Sequence, residues 1–174
     1  MTRVEIRICG LGGQGVVLAG QILGRAGVYD GKNVVQTQSY GAEARGSAAK
    51  SEVIISDEQI GFPHVRNCDM LVAMSQRGLD AHIKDLKEGG VLFIDRDLVK
   101  KIPKVKGEIH KLSATEVAQR QLRSKMYANV VILGALIKET KIVSKEAMEK
   151  AIVHTIKSDS AQTNLQALNI GFNL

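Results

Sequence analysis

A length of 174 residues suits one ordinary α/β domain and suffices to bury a sizeable core. Hydrophobic residues make up 44% and charged residues 24% of the chain, which excludes a disordered polymer. The formal net charge is +6, a moderate excess without extreme asymmetry. No apolar run reaches the ~18 residues needed to span a bilayer. Charges interrupt the opening MTRVEIRICG, unlike a signal peptide, so a cytoplasmic protein with no membrane contact is expected.

The first segment alternates apolar and polar residues from Val4, a strand signal. Gly10-Leu11-Gly12-Gly13-Gln14-Gly15 follows, and Val16 to Gly27 is apolar or small, as in a buried helix. A turn at Asp30-Gly31-Lys32 precedes a second strand over 33–38. Ser39 to Ser47 reads as a polar loop, and Ser51 to Ser56 as a third strand. Cys68 to Met74 is almost wholly apolar, the signature of a strand buried on both faces. Ser75 is a candidate cap for a helix through Leu79, Ile83 and Leu86 that Gly89-Gly90 stops. Val91 to Asp95 is a fifth strand and Glu108 to Leu112 a short sixth.

From Ser113 the pattern is helical. Ser113-x-x-Glu116 has capping-box spacing. Ala128 to Lys138 and Ser144 to Ile156 read as amphipathic helices, with Ser144 a candidate cap. Asn164 to Leu174 is apolar without a strong period and reads as a docking tail or a frayed end. Strands alternating with helices predict an α/β, Rossmann-like fold. It has a mostly parallel sheet flanked by helices and a helical C-terminal part.

Gly10, Gly12 and Gly15 satisfy G-x-G-x-x-G between a strand and a helix. Glycine permits positive φ and a close ligand approach, and the helix start presents N–H groups to an anion. A dinucleotide site also needs an acid at the end of the second strand. That strand ends Gln36-Thr37-Gln38-Ser39, and Glu43 comes four residues later, in the loop. Two readings of the turn therefore stay open, an anion site or a tight packing turn. The loop after the second strand offers Ser39, Tyr40, Glu43 and Arg45 at the same sheet edge. Arg45 is suited to clamp a phosphate or carboxylate, or to pair with Glu43 and fix the loop.

Other chemistry is missing from the sequence. Cys9 and Cys68 form no CxxC, which excludes a zinc or iron–sulfur site built by this chain alone. His64, His82, His110 and His154 are scattered, and no nucleophile elbow or NTPase P-loop occurs. Lys100, Lys101, Lys104 and Lys106, followed by Lys111, form the densest basic stretch, read as a docking surface for an anionic partner or as a solvated loop. Aromatic residues are 3% and Trp is absent, so nucleic acid is not an expected partner.

Two stretches together carry a resemblance. Gly10 to Gly20, GLGGQGVVLAG, and Gln38 to Gly46, QSYGAEARG, resemble the two signatures of the gamma subunit of 2-oxoacid:ferredoxin oxidoreductases. Asn129-Val130-Val131-Ile132-Leu133-Gly134-Ala135 is similar to a third. Ala42 and Ser47 stand where the family often has Pro and Gly. The resemblance implies residues 1–174 as a single pyruvate/ketoacid oxidoreductase gamma-type domain, inactive alone. It implies a complex that decarboxylates a 2-oxoacid to an acyl-CoA and reduces ferredoxin. The form of the second signature favours 2-oxoglutarate, hence succinyl-CoA.

Thiamine diphosphate, Mg and iron–sulfur clusters would belong to partner alpha, beta and ferredoxin-like subunits. The site residues it implies are Gly10, Gly12, Gly13, Gln14, Gly15, Ser39, Tyr40, Glu43 and Arg45, for contact with coenzyme A or with the subunit interface. No residue of this chain is expected to be catalytic or to hold a metal. A stand-alone dinucleotide-binding protein and an indolepyruvate:ferredoxin oxidoreductase subunit are the alternatives.

Overall fold

The structure, a computed structural model, describes residues 3–42 and 46–174, and of Ser158 the backbone only. In chain order come β1 (Arg3–Leu11), α1 (Val16–Tyr29), β2 (Asn33–Tyr40), β3 (Ala48–Ser56), β4 (Cys68–Ala73), α2 (Gln76–His82), β5 (Leu86–Asp95) and β6 (Glu108–Leu112). The helices α3 (Ala114–Leu122), α4 (Ala128–Thr140), α5 (Lys145–Thr155) and α6 (Ser158–Phe172) complete the chain. The six strands form one sheet in the order β2-β3-β1-β4-β5-β6.

β1, β4, β5 and β6 pair in parallel, whereas β3 runs antiparallel to both β1 and β2. The predicted parallel-rich sheet with flanking helices is thus present, with one reversed strand. Its cause is connection length: the stretch 41–47 between β2 and β3 is too short for a parallel crossover and closes a hairpin instead. β2 also runs two residues further than expected, pairing Ser39 with Lys50 and Tyr40 with Ala49.

Alternation along each strand sorts the side chains into two layers. Ile6, Ile8, Val53, Ile55, Val72 and Phe93 face a thick layer of helices α1 and α3 to α6. Ile54, Leu71, Leu92 and Ile94 face α2 and the segments carrying Val65 and Val99. α1 lies very close to the sheet, since a Cβ on Gly20 would stand 2.0 Å from Ser51 Oγ.

On the second face Arg7, only 4% exposed, donates to Glu52 Oε1 from Nε at 2.9 Å and from a terminal nitrogen at 2.6 Å. It also donates to the Val65 carbonyl at 2.7 Å and pairs with Asp85. Such a cation is tolerable in the interior because its donors are matched.

Several helix expectations need correction. The helix after Ser75 ends at His82, a 3-10 turn covers Ile83–Asp85, and β5 already begins at Leu86. Gly89, with φ of 76°, and Gly90 therefore lie inside a strand rather than ending a helix. α4 is not amphipathic: every residue from Ala128 to Ile137 is buried, because sheet and α1 cover one side and α6 the other. Of the two readings of the C-terminal stretch, the docking one holds and the frayed end does not: it is the second half of α6, packed on α4.

Gly171 makes that packing possible, since a Cβ there would fall 1.8 Å from the Val131 carbonyl oxygen. Ser75 and Ser144 do cap their helices, accepting from Gly78 N–H at 3.0 Å and Ala147 N–H at 3.1 Å. Ser113 does not; its hydroxyl accepts from Arg96 Nε instead. No helix among the described residues is long and apolar enough to cross a membrane.

Candidate functional site

β1 delivers the chain to the glycine turn at the end where the parallel strands finish, and α1 leaves from it. The turn is held from within. Gln14 is the clamp: its side-chain carbonyl accepts from Leu11 N–H at 2.7 Å, and its amide donates to the Met74 carbonyl at 2.8 Å. Gly10 makes room for it, because a Cβ there would lie 2.5 Å from Gln14 Oε1. Gly12 N–H donates to the Ser47 carbonyl at 2.8 Å, which ties the turn to the β2–β3 hairpin.

Gly15 is the N-cap of α1, with φ of 72° and no side-chain cap on the helix. A Cβ at Gly15 would stand 2.3 Å from Asn129 Nδ2, so shape as well as φ demands glycine. Asn129 donates to the Gly15 carbonyl at 3.1 Å, drawing the start of α4 against the start of α1. Gly13, with φ of 88°, has nothing within 4 Å of its Cβ position. It is the open point of the turn.

A cavity of about 490 Å³ lies over this turn. Gly12, Gly13, Gly15, Val17, Gln21 and Gln38 are among its lining residues, and Tyr40 stands at its rim, 60% exposed. Among the described residues no charged side chain lines it. The first turn of α1 carries no acidic side chain and no capping group, so its N–H groups and dipole favour a negative ligand. The arrangement can bind and orient an anionic group. Among the described residues no carboxylate, imidazole or thiol lines the cavity.

The two cysteines lie outside this cavity, buried, and burial pushes both thiols up to about 12. They are unreactive at neutral pH. Among the described residues no cluster of three His, Cys, Asp or Glu side chains could hold a metal ion.

The sequence profile of the pyruvate ferredoxin/flavodoxin oxidoreductase family matches residues 5–174. This chain belongs to that family. A 2-oxoglutarate synthase subunit KorC of Methanocaldococcus jannaschii is 50% identical over 175 residues, covering 99% of this chain and 94% of that protein. The crystal structure of a keto/oxoacid ferredoxin oxidoreductase gamma subunit from Geobacter sulfurreducens superposes with a TM-score of 0.87. It is 45% identical, with 98% of this chain and 96% of that one covered.

Magnetococcus marinus 2-oxoglutarate:ferredoxin oxidoreductase, solved with 2-oxoglutarate, coenzyme A and succinyl-CoA bound, shares the fold. The TM-score is 0.87 at 20% identity, over 99% of this chain but 31% of that one. The same fold thus occurs as a separate chain and as part of a longer one.

The sequence-predicted site residues divide in this family member. Gly12, Gly13, Gly15 and Tyr40 meet at the cavity. Gly10 and Gln14 build the turn beneath it. Ser39 lies on β2, and strand alternation puts its side chain on the opposite face from those of Gln38 and Tyr40. Glu43 and Arg45 lie outside the described residues. Sequence reasoning placed Gln38 and Asn129 in signature stretches but not in the site, and did not single out Gln21. Asn129 had a signal: a lone amide inside an otherwise apolar helix, where an unpaired polar group would be costly.

Proposed function

We propose that this chain is the gamma-type subunit, one domain over its whole length, of a 2-oxoglutarate:ferredoxin oxidoreductase. The complex converts 2-oxoglutarate and coenzyme A to succinyl-CoA and carbon dioxide and passes the electrons to ferredoxin. The observation that carries this reading is the match to separate KorC subunits over nearly their full length, at 50% identity in one and 44% in another. Thiamine diphosphate, Mg and the iron–sulfur clusters belong to companion alpha, beta and ferredoxin-like subunits. This chain contributes a shaped surface.

Within the complex, the start of α1 receives an anionic group of coenzyme A, with Arg45 as a further phosphate contact. Support comes from the uncapped helix start, the open Gly13 and the cavity above them. Co-expression with the companion subunits tests the assignment. The assembled complex is expected to reduce ferredoxin with 2-oxoglutarate and not with pyruvate, and the chain alone to be inactive. A complex that prefers pyruvate, or a chain active alone, refutes it.

Calorimetric titration of the complex with coenzyme A tests the site. Gly13→Asp and Gly13→Asn both meet no atom within 4 Å and strain the backbone alike at φ of 88°, so the added carboxylate is read as binding about tenfold weaker in Asp than in Asn. Equal affinity in Gly13→Asp and Gly13→Asn, with unchanged affinity in Arg45→Ala, would leave the turn a subunit contact only.

A further inference from the structure

We propose that the cleft between the 3-10 turn at Ile83–Asp85 and the segment leading into β6 docks a soluble acidic protein. The cleft takes one apolar side chain of that protein on its floor and carboxylates on a lysine rim. It holds about 440 Å³ and has an aliphatic floor of Ile83, Leu86, Pro103 and Val105. Lys84 and Lys104 stand exposed at its rim, and neither has an ion pair among the described residues. Two other rim lysines are already neutralised, Lys87 by Asp69 at 2.8 Å and Lys106 by Glu88 at 2.6 Å. The free charge of the rim is therefore that of Lys84 and Lys104; Lys100 and Lys101 lie toward the other end of the segment, against Gln76, and are not part of the cleft.

The basic segment is fixed at both ends rather than loose. Gln76 Oε1 accepts from the N–H groups of Lys100 and Lys101, both at 2.9 Å, and its amide donates to the Lys101 carbonyl at 2.8 Å. At the other end Gly89 N–H donates to the Lys106 carbonyl at 2.6 Å, and a Cβ on Gly107 would fall 2.1 Å from the Gly90 oxygen. The lysines therefore project from a preorganised backbone, which lowers the ordering cost of binding.

Charge decides the occupant. A positive rim around an apolar floor selects a negative surface with an apolar tip and speeds its encounter. Permanent interfaces are depleted in lysine at their centres, whereas brief redox and signalling contacts are small. A visiting protein fits this patch better than a resident subunit. No aromatic ring lines the floor, so nothing stacks a nucleic acid base. The cleft lies where β5 and β6 begin, at the sheet end opposite the glycine turn, so both surfaces can be occupied together.

Anisotropy of a fluorescent octapeptide, Glu-Asp-Glu-Leu-Phe-Glu-Asp-Glu, tests the proposal on the full chain. Binding is expected at low salt and to weaken about tenfold at physiological ionic strength. A Lys84→Glu/Lys104→Glu double variant with unchanged circular dichroism is expected to weaken it about tenfold. Replacing Leu and Phe of the peptide by Ser should weaken it severalfold. No binding at low salt, equal affinity in the double variant, or tighter binding of an oligothymidylate of equal charge overturns it.

Discussion

Glu52 shows how a single carboxylate ties pH to stability in this fold. Burial alone would raise its pKa, but the hydrogen bonds from Lys50 and Arg7 outweigh that and hold it below 4.5. A folded-state value below the unfolded one stabilises the protein above the unfolded pKa and loses that contribution as pH falls through the folded one. Unfolding by urea should therefore show wild type more stable than Glu52→Gln by about 3 kcal/mol at neutral pH, the scale for breaking a buried ion pair. The gap should shrink steadily below pH 4.5. A gap that stays constant down to about pH 3 rejects the linkage. Asp95 runs the other way, its pKa raised by burial, so only the difference between the two proteins isolates Glu52. None of this was legible in the sequence, where 45 residues separate Arg7 from Glu52.

Among the elements, α3 shows where local pattern is overruled by tertiary geometry. Its spacing announced Ser113 and Glu116 as a capping box. The end of β5 lies close enough to supply better acceptors: Asp95 Oδ2 takes Thr115 N–H at 3.1 Å and Asp97 Oδ2 takes Glu116 N–H at 2.7 Å. Ser113 is left to Arg96. Replacing Asp97 by Ala should cost about 1 kcal/mol of unfolding free energy, and replacing Ser113 by Ala less than half as much. Thermal denaturation of the two variants in parallel decides it, and the reverse ranking would return the cap to Ser113.

β1 was legible from its period of two, and β4 from the short apolar run that burial on both faces demands. The direction of β3 was not, since alternation is the same in both directions and only the hairpin loop sets it. The second half of α6 was equally opaque: Asn164 to Leu174 has a partner on α4 to satisfy, so its apolar residues need not follow a clean amphipathic stripe.

At the scale of the molecule, the sheet separates two surfaces, the glycine-turn cavity at one end and the lysine cleft at the other. The first was half legible, because G-x-G-x-x-G between strand and helix announces an uncapped helix start. The aromatic at its rim and the Asn129 anchor come from β2 and α4, and their convergence is a product of topology rather than of spacing. Tyr40 is 60% exposed beside this cavity. A large amphipathic ring left in water next to an anion-ready turn is the kind of group that interfaces bury. Assembly with the companion subunits should cover it, whereas a cleft for a transient visitor should stay open in the resting complex. Hydroxyl-radical footprinting of the free chain and the assembled complex separates the two. Tyr40 and Val17 are expected to lose reactivity severalfold on assembly, while Pro103 and Val105 keep theirs. Protection of Pro103 and Val105 with Tyr40 unchanged would reverse the assignment, making the lysine cleft the permanent contact and the glycine turn the free surface.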